Sequence, residues 1–391
     1  MVLNGLLRNS LFDALLAPEA RVARRHEMAA RREGDPGPTR AVEEGMAWLG
    51  RAQDHSSSRD GGVARHYSLL DGWAASYPET TGYIVPTMLA HADSCGDRSI
   101  RGRARRMLDW LVAIQFPDGG YQGGMVDQSP RVPVTFNTGQ ILMGLAAGTL
   151  MDDRYHEPML RAADWLVSTQ DEDGCWRKHP TPFAVAGEKV YETHVAWGLL
   201  QADAVAPGRG YLSAALRQVD WAIALQTPNG WYPNCCLSVP DRPLTHTIGY
   251  ALRGIVEAYR ASSAERYLIA ASRTADALLG CISSDGRLPG RLDRNWDPAA
   301  KWVCLTGTAQ IAHCWLLLYR ITGRADYLDA GRRANAYIRR RILVSGPEAT
   351  RGAVPGSDPV GGEYGTWQFL NWATKFSIDA NTEEMLLVAG S

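Results

Sequence analysis

Hydrophobic and polar positions alternate in long helical stretches, and the stretches come in two kinds. One kind is amphipathic, with apolar residues at i, i+3, i+4 and i+7, and ends in Asp-Gly or Asn-Gly. It reads MLDWLVAIQFPDGGYQGG, AADWLVSTQDEDGCW and QVDWAIALQTPNGWY, with a worn copy at ADALLGCISSDGRLPG. The other kind is apolar almost all round and rich in Gly, Ala and Thr. It starts at YPETTGYIVPTML, FNTGQILMGLA, YETHVAWGLLQA, THTIGYALRGIVEA, LTGTAQIAHCWLLL and LNWATKFSIDA. These starts recur at roughly 60-residue intervals, the period of a long helical hairpin. A helix apolar on every face belongs inside a second layer of helices. The pattern predicts an all-α fold, an (α/α)6 toroid of six helical hairpins with inner and outer rings.

The connections sharpen this. Segments such as SCGDRS, AVAPGRG and ITGRAD are short, whereas those leading into the apolar helices run to about twenty residues and are rich in Gly, Pro and aromatics. All the long loops, and the N-termini of all six inner helices, therefore fall on one face. Long loops on a rigid scaffold are where function usually sits. Residues 345–366 resemble a linker in composition, but an inner-type helix follows, so they read as the sixth long loop. The toroid is expected over residues 39–391 as one domain, preceded by an amphipathic extension over 1–38.

Composition adds limits. The 391 residues carry a net charge of −1, so no basic field argues for nucleic acid. No apolar run is long enough to span a bilayer. The N-terminus has Asn4, Arg8, Asn9 and Asp13 within its apolar part and lacks the order of a signal peptide. Leu3, Leu6, Leu7, Leu11 and Leu15 lie at helical spacing, so residues 1–25 are either a surface helix or a peripheral contact with a membrane or synthesis complex. Seven cysteines without a CxxC pair suggest reduced thiols and a cytoplasmic protein. Thirteen Trp and fifteen Tyr against six Phe favour rings with a hydrogen-bonding tip, which suits a wet pocket.

Candidate chemistry concentrates at the inner-helix starts. Each carries a polar pair three or four residues apart, on one helix face. The pairs are Glu79 with Tyr83, Asn137 with Gln140, Tyr191 with His194, His246 with Tyr250, Gln310 with His313, and Asn371 with Lys375. Together they predict a polar ring at the mouth of the toroid, where six helix N-termini favour an anion. Each has a plainer reading. Thr80, Thr138, Thr193, Thr247 and Asn371 are candidate N-caps. His194 and His246 are either core histidines or a functional pair, and His313 reads as structural. Asp118, Asp173, Asn229 and Asp285 read as turn formers. Trp176 and Trp231, after the turns, are loop packing or a stacking platform. Lys301 beside Trp302 is a surface charge or a substrate contact.

QDEDGCW and QTPNGWY resemble the QW repeats of terpenoid cyclases and prenyltransferase-like α/α toroids. That likeness implies the fold. The DxDD acid motif, a DDxxD diphosphate motif and a zinc-ligand set are absent from the sequence. YPETTGYI, GSDPVGGEY and FLNWATKFSIDA are similar to bacterial exopolysaccharide-biosynthesis proteins of the VpsJ-like group, from about residue 40 onward. That resemblance implies a polysaccharide pathway.

The expected function is an enzyme acting on an anionic, uronic-acid oligo- or polysaccharide, as a uronyl C5-epimerase or lyase. His194, His246, Tyr191, Glu192 and Tyr250 are the catalytic candidates. Glu79, Tyr83, Asn137, Gln140, Trp176, Trp231, Lys301, Trp302, Gln310, Asn371 and Lys375 are the substrate-binding ones. A glycoside hydrolase would want two carboxylates, with Glu79 and Glu192 the pair and Glu363 a third candidate. A terpenoid cyclase of unusual type and a non-catalytic glycan-binding scaffold remain as alternatives. No cofactor and no metal site is expected, since neither HExxH nor clustered Cys/His spacing occurs.

Overall fold

The computed structural model describes residues 34–389, together with Leu16, Pro18, Arg21, Val22 and Arg25. The expected contact through residues 1–25 falls almost wholly outside the described residues. In chain order the helices are α1 (Pro38–Asp54), α2 (Pro78–Cys95), α3 (Arg98–Ile114), α4 (Thr135–Thr149), α5 (His156–Thr169), α6 (Thr193–Val205), α7 (Tyr211–Ala224), α8 (Thr245–Ser262), α9 (Glu265–Leu279), α10 (Leu305–Thr322), α11 (Ala325–Arg339) and α12 (Asn371–Ala389). Even-numbered helices form the inner ring, each packed on the next, with α12 returning to α2. Odd-numbered helices form the outer ring. Each inner helix packs on the outer helix that follows it, and the sixth pair joins α12 to α1 across the whole chain. This is the (α/α)6 toroid, with its long loops on one face. No helix among the described residues is long and apolar enough to cross a membrane.

Small strands close the loop face. β1 (His66–Ser68) lies between β2 (Gly72–Trp73) and β5 (Gln368–Leu370), antiparallel to both, with Tyr67 opposite Phe369. β3 (Val303–Cys304) pairs antiparallel with β4 (Ser357–Asp358). The first and last long loops are thus hydrogen-bonded together, which fastens the ring where the chain ends meet.

The QW-type repeats hold the outer ring. Gln170 Nε2 donates to the carbonyls of Gly174 and, across the layer, Ala214 in α7, both at 2.9 Å. Gln115 does the same to Gly119 and Pro158, and Gln226 donates to the Ala270 carbonyl and to the Thr274 hydroxyl, which in turn donates to the Gly230 carbonyl. The turn glycine is required: Gly174 has φ +94°, and a Cβ there would lie 2.5 Å from the Arg217 carbonyl. Asp118, Asp173, Asn229 and Asp285 accept backbone N–H groups two residues on, as turn formers do.

The expected threonine N-caps are not caps. Thr138 donates to the Val134 carbonyl four residues back and accepts the N–H of Tyr121 from the preceding loop. Thr81 and Thr374 do the same with the N–H groups of Val63 and Val354. The Thr247 hydroxyl donates to the Cys235 and Leu244 carbonyls, and that of Thr193 to the Ala251 carbonyl. These hydroxyls staple the long loops, or a neighbouring helix, to the inner helices.

Inner helices touch through backbone. A Cβ on Gly198 of α6 would lie 2.4 Å from the Gly139 carbonyl of α4, and one on Gly144 of α4 would lie 2.3 Å from the Gly82 carbonyl of α2. Since backbone cannot yield as a side-chain tip can, Gly198→Val is expected to cost about 3 kcal/mol, at the upper end of overpacking effects, measured by urea unfolding.

Candidate active site

The inner-helix N-termini converge on a cavity of about 190 Å3 beneath the long loops. Arg65, Tyr77, Glu79, Asn137, Tyr191, His246, Tyr250, Tyr364 and Trp372 line it. Glu79 stands in the first turn of α2 and is buried. Asn137, from the start of α4, donates its Nδ2 proton to Glu79 Oε2 at 3.0 Å. Burial pushes the Glu79 carboxyl up to about 7, against the lowering pull of the Tyr77 hydroxyl, Arg65 and Asn137. Arg65 precedes β1. Its guanidinium lies 4.9 Å from the Trp372 ring and 5.8 Å from that of Tyr77, and it donates to His66 and Gln368.

His246 in the first turn of α8 is held by the next helix. Gln310 Oε1 of α10 sits 2.7 Å from His246 Nδ1. An amide oxygen accepts only, so the proton resides on Nδ1 and Nε2 carries the lone pair. Burial lowers the imidazole to about 4, with Gln310 opposing. The ring is therefore neutral across the ordinary pH range. Burial also raises the Tyr191 and Tyr250 phenols well above their usual value, so both stay protonated. Among the described residues the mouth thus holds a carboxyl poised to titrate near neutrality, a neutral imidazole with a fixed tautomer, four proton-bearing phenols (Tyr77, Tyr191, Tyr250 and Tyr364) and one cation.

Several expected site residues lie elsewhere, and the reason is mostly lateral pairing. His194 Nδ1 bonds Gln140 Oε1 at 2.6 Å, a His–Gln pairing like that of His246 with Gln310 but made to the preceding inner helix instead of the following one. The His194 ring is fully buried against Tyr250 and Trp197, and its Nε2 has no partner among the described residues. It does not line the mouth; it belongs to a septum across the toroid axis with Phe376 and Tyr83. The Tyr83 hydroxyl lies 3.5 Å from that of Tyr250. Asn371 is consumed by the Ala64 carbonyl and Thr80, fastening α12 to α2. Gln310 positions His246 instead of facing the cavity.

Lys375 is farther away still. Four residues into α12, it points to the opposite end of the toroid, paired with Asp379 at 2.7 Å. Glu192 is buried in the turn before α6, outside the mouth lining, and burial raises its carboxyl to about 8. Trp176 is buried with its Nε1 donating to the Leu166 carbonyl, and Trp231 packs edge-on against Trp296, so neither is a stacking platform. Trp302 packs with Leu244 and Cys304, and Lys301 is exposed outside the cavity. Glu363 is exposed and paired with Arg291.

Arg65, Tyr77, Phe136 and Tyr364 line the mouth without having been selected from the sequence. Tyr77 and Tyr364 stand in the segments YPETTGYI and GSDPVGGEY, which carry the VpsJ-like resemblance. Arg65 and Phe136 have no such signal. Among the described residues no group of three or more His, Cys, Asp or Glu gathers as metal ligands.

With this geometry in hand, the chain can be set beside known proteins. A family model described as the squalene-hopene cyclase C-terminal domain matches residues 63–256. No curated protein matches the sequence. Among solved structures, an unsaturated glucuronyl hydrolase specific for heparin superposes with a TM-score of 0.71 at 14% identity, covering 90% of this chain and 98% of that one. Cellobiose 2-epimerase from Bacillus thermoamylovorans superposes with a TM-score of 0.68 at 10% identity, over 86% and 95% of the two chains. A D-mannose isomerase gives 0.72 at 12% identity, over 90% and 97%. At these identities the likeness establishes the toroid.

The Glu79 carboxyl makes a prediction with a defined sign. From its ordinary value of 4.5 to about 7 the folded chain keeps a proton that the unfolded chain has released. Its contribution to stability therefore falls as pH rises through this window and is gone above it. Glu79→Gln removes the effect. Relative to wild type, the variant should gain about 3 kcal/mol of unfolding free energy between about pH 4 and pH 8, measured by urea titrations at each pH.

Proposed function

We propose that the mouth is the active site of an enzyme acting on an anionic glycan, as a uronyl C5-epimerase or lyase. The observation that carries this reading is the combination of a protonated Glu79 carboxyl, a neutral His246 and the Arg65 cation in one cavity. Proton abstraction beside a carboxylate needs that charge masked, a base at the carbon and an acid for the second proton transfer. Arg65 presents a planar donor for the carboxylate. His246 Nε2 is the base. Glu79, with Tyr191 and Tyr250 nearby, supplies the proton. Sugar epimerases and isomerases among the structural neighbours support the class. The VpsJ-like motifs support a place in exopolysaccharide synthesis. The free cysteines fit a reducing, cytoplasmic setting.

A glycoside hydrolase is the second reading, favoured by the likeness to glucuronyl hydrolases. It fits the site less well, because Glu79 is the one carboxyl lining the mouth among the described residues. A terpenoid cyclase would use the aromatic rings of the lining to stabilise a cation, but Arg65, Glu79, Asn137 and His246 place a fixed positive charge and polar groups among those rings.

The test is incubation with uronic-acid polysaccharides in heavy water. Deuterium entering C5 without cleavage indicates an epimerase, and a new unsaturated chromophore indicates a lyase. Release of reducing sugar with neither signal overturns the reading in favour of a hydrolase. Glu79→Gln and His246→Ala should each lower the rate by about 10²–10⁴-fold. His246 must be deprotonated and Glu79 protonated, so kcat/KM should rise through about 4 and fall through about 7.

A further inference from the structure

The mouth occupies one end of the toroid axis. At the other end, where the inner helices finish, a larger cavity of about 640 Å3 opens. The two are divided by the septum: Tyr83 lines the far cavity, Tyr250 lines the mouth, and Phe376 packs against both rings.

Four polar groups line the far cavity with hydrogen-bonding capacity to spare. Arg253 gives Nε to Glu257 at 2.7 Å and Nη1 to His313 Nδ1 at 3.0 Å, and its guanidinium lies 4.2 Å over the Trp197 ring. No bond to its Nη2 forms among the described residues. Arginine only donates, so His313 Nδ1 accepts, and the neutral ring carries its proton on Nε2. Burial keeps that ring neutral. Lys375 Nζ is buried, lies 4.5 Å from the Phe376 ring and, among the described residues, is bonded to Asp379 alone, leaving further donors. Trp197 Nε1 is buried without a partner among the described residues. Of the three acids on the lining, Glu43 is exposed and pairs loosely with Arg40 at 3.8 Å, and the other two are already served. Asp379 accepts from Lys375 and Thr87, and Glu383 from Arg320. Met143, Ile378 and Pro86 supply apolar wall.

We propose that this cavity is a second ligand site, separate from the mouth, for an organic anion with an apolar body. Unspent donors from two cations, an imidazole and an indole face an acidic group, and the apolar wall takes the remainder. The volume suits a small molecule. The proposal stands independently of the chemistry at the mouth.

Calorimetric titration of the full chain with hexanoate, and with 1-hexanol as the neutral analogue, tests it. One saturable site is expected, with hexanoate bound at least about tenfold more tightly, as a charge-assisted bond provides. Lys375→Met should abolish that preference. Ala90→Trp, at the exposed rim, should weaken both ligands and leaves every cation in place, so it decides the matter if the lysine variant does not fold. Arg65→Gln should leave hexanoate binding unchanged. The proposal is overturned by absence of saturable hexanoate binding, by equal affinity for the alcohol, or by binding lost in Arg65→Gln and retained in Ala90→Trp.

Discussion

Six helices can converge on one axis only where their backbones touch, and in this chain that contact is made by glycine. Gly139 against Gly198, and Gly82 against Gly144, bring neighbouring inner helices close enough for short polar side chains to bridge them. The bridges are then specific. Glu79 reaches Asn137, Gln140 reaches His194, His246 reaches Gln310, and Asn371 reaches Thr80. Burying so many polar groups would be costly if they were unpaired. Paired, they give the ring one register and fix the orientation of each group at the mouth.

Desolvation then sets the chemistry. The same burial that raises the Glu79 carboxyl lowers the His246 imidazole, so a protonated carboxyl and an unprotonated imidazole coexist between about pH 4 and about pH 7. Two histidines share the amide-anchored arrangement, and their positions separate their roles. His246 borders a cavity, whereas His194 is sealed in the septum. Arg65 enters from a loop that β1 and β5 tie across the closure of the ring, so the cation's position depends on the toroid being closed.

The architecture was legible in the sequence because a toroid repeats. Period, loop asymmetry and the contrast between amphipathic and uniformly apolar helices are all properties of spacing. The site was legible only by height. Inner-helix starts do form the mouth, and Glu79, Asn137, Tyr191, His246 and Tyr250 lie there. Which way a side chain turns about the axis is not encoded in i, i+3 spacing. Lys375 stands one turn deeper than Asn371 on the same helix, and that turn carries it past the septum to the other cavity. Trp176 and Trp231 follow the loop-face turns in sequence, but their rings pack beneath those turns. Arg65 comes from a loop with no periodic pattern, so its place is set by tertiary pairing alone.

The central claim is that burial holds His246 neutral while Gln310 fixes its proton on Nδ1, leaving the Nε2 lone pair free. Nitrogen-15 NMR of the imidazole, titrated from about pH 3 upward, measures this directly. The account predicts a midpoint near 4 that moves no higher on Gln310→Leu, and a Nδ1–H tautomer preference that is lost in that variant. A midpoint at the ordinary histidine value, or a proton on Nε2, would contradict it.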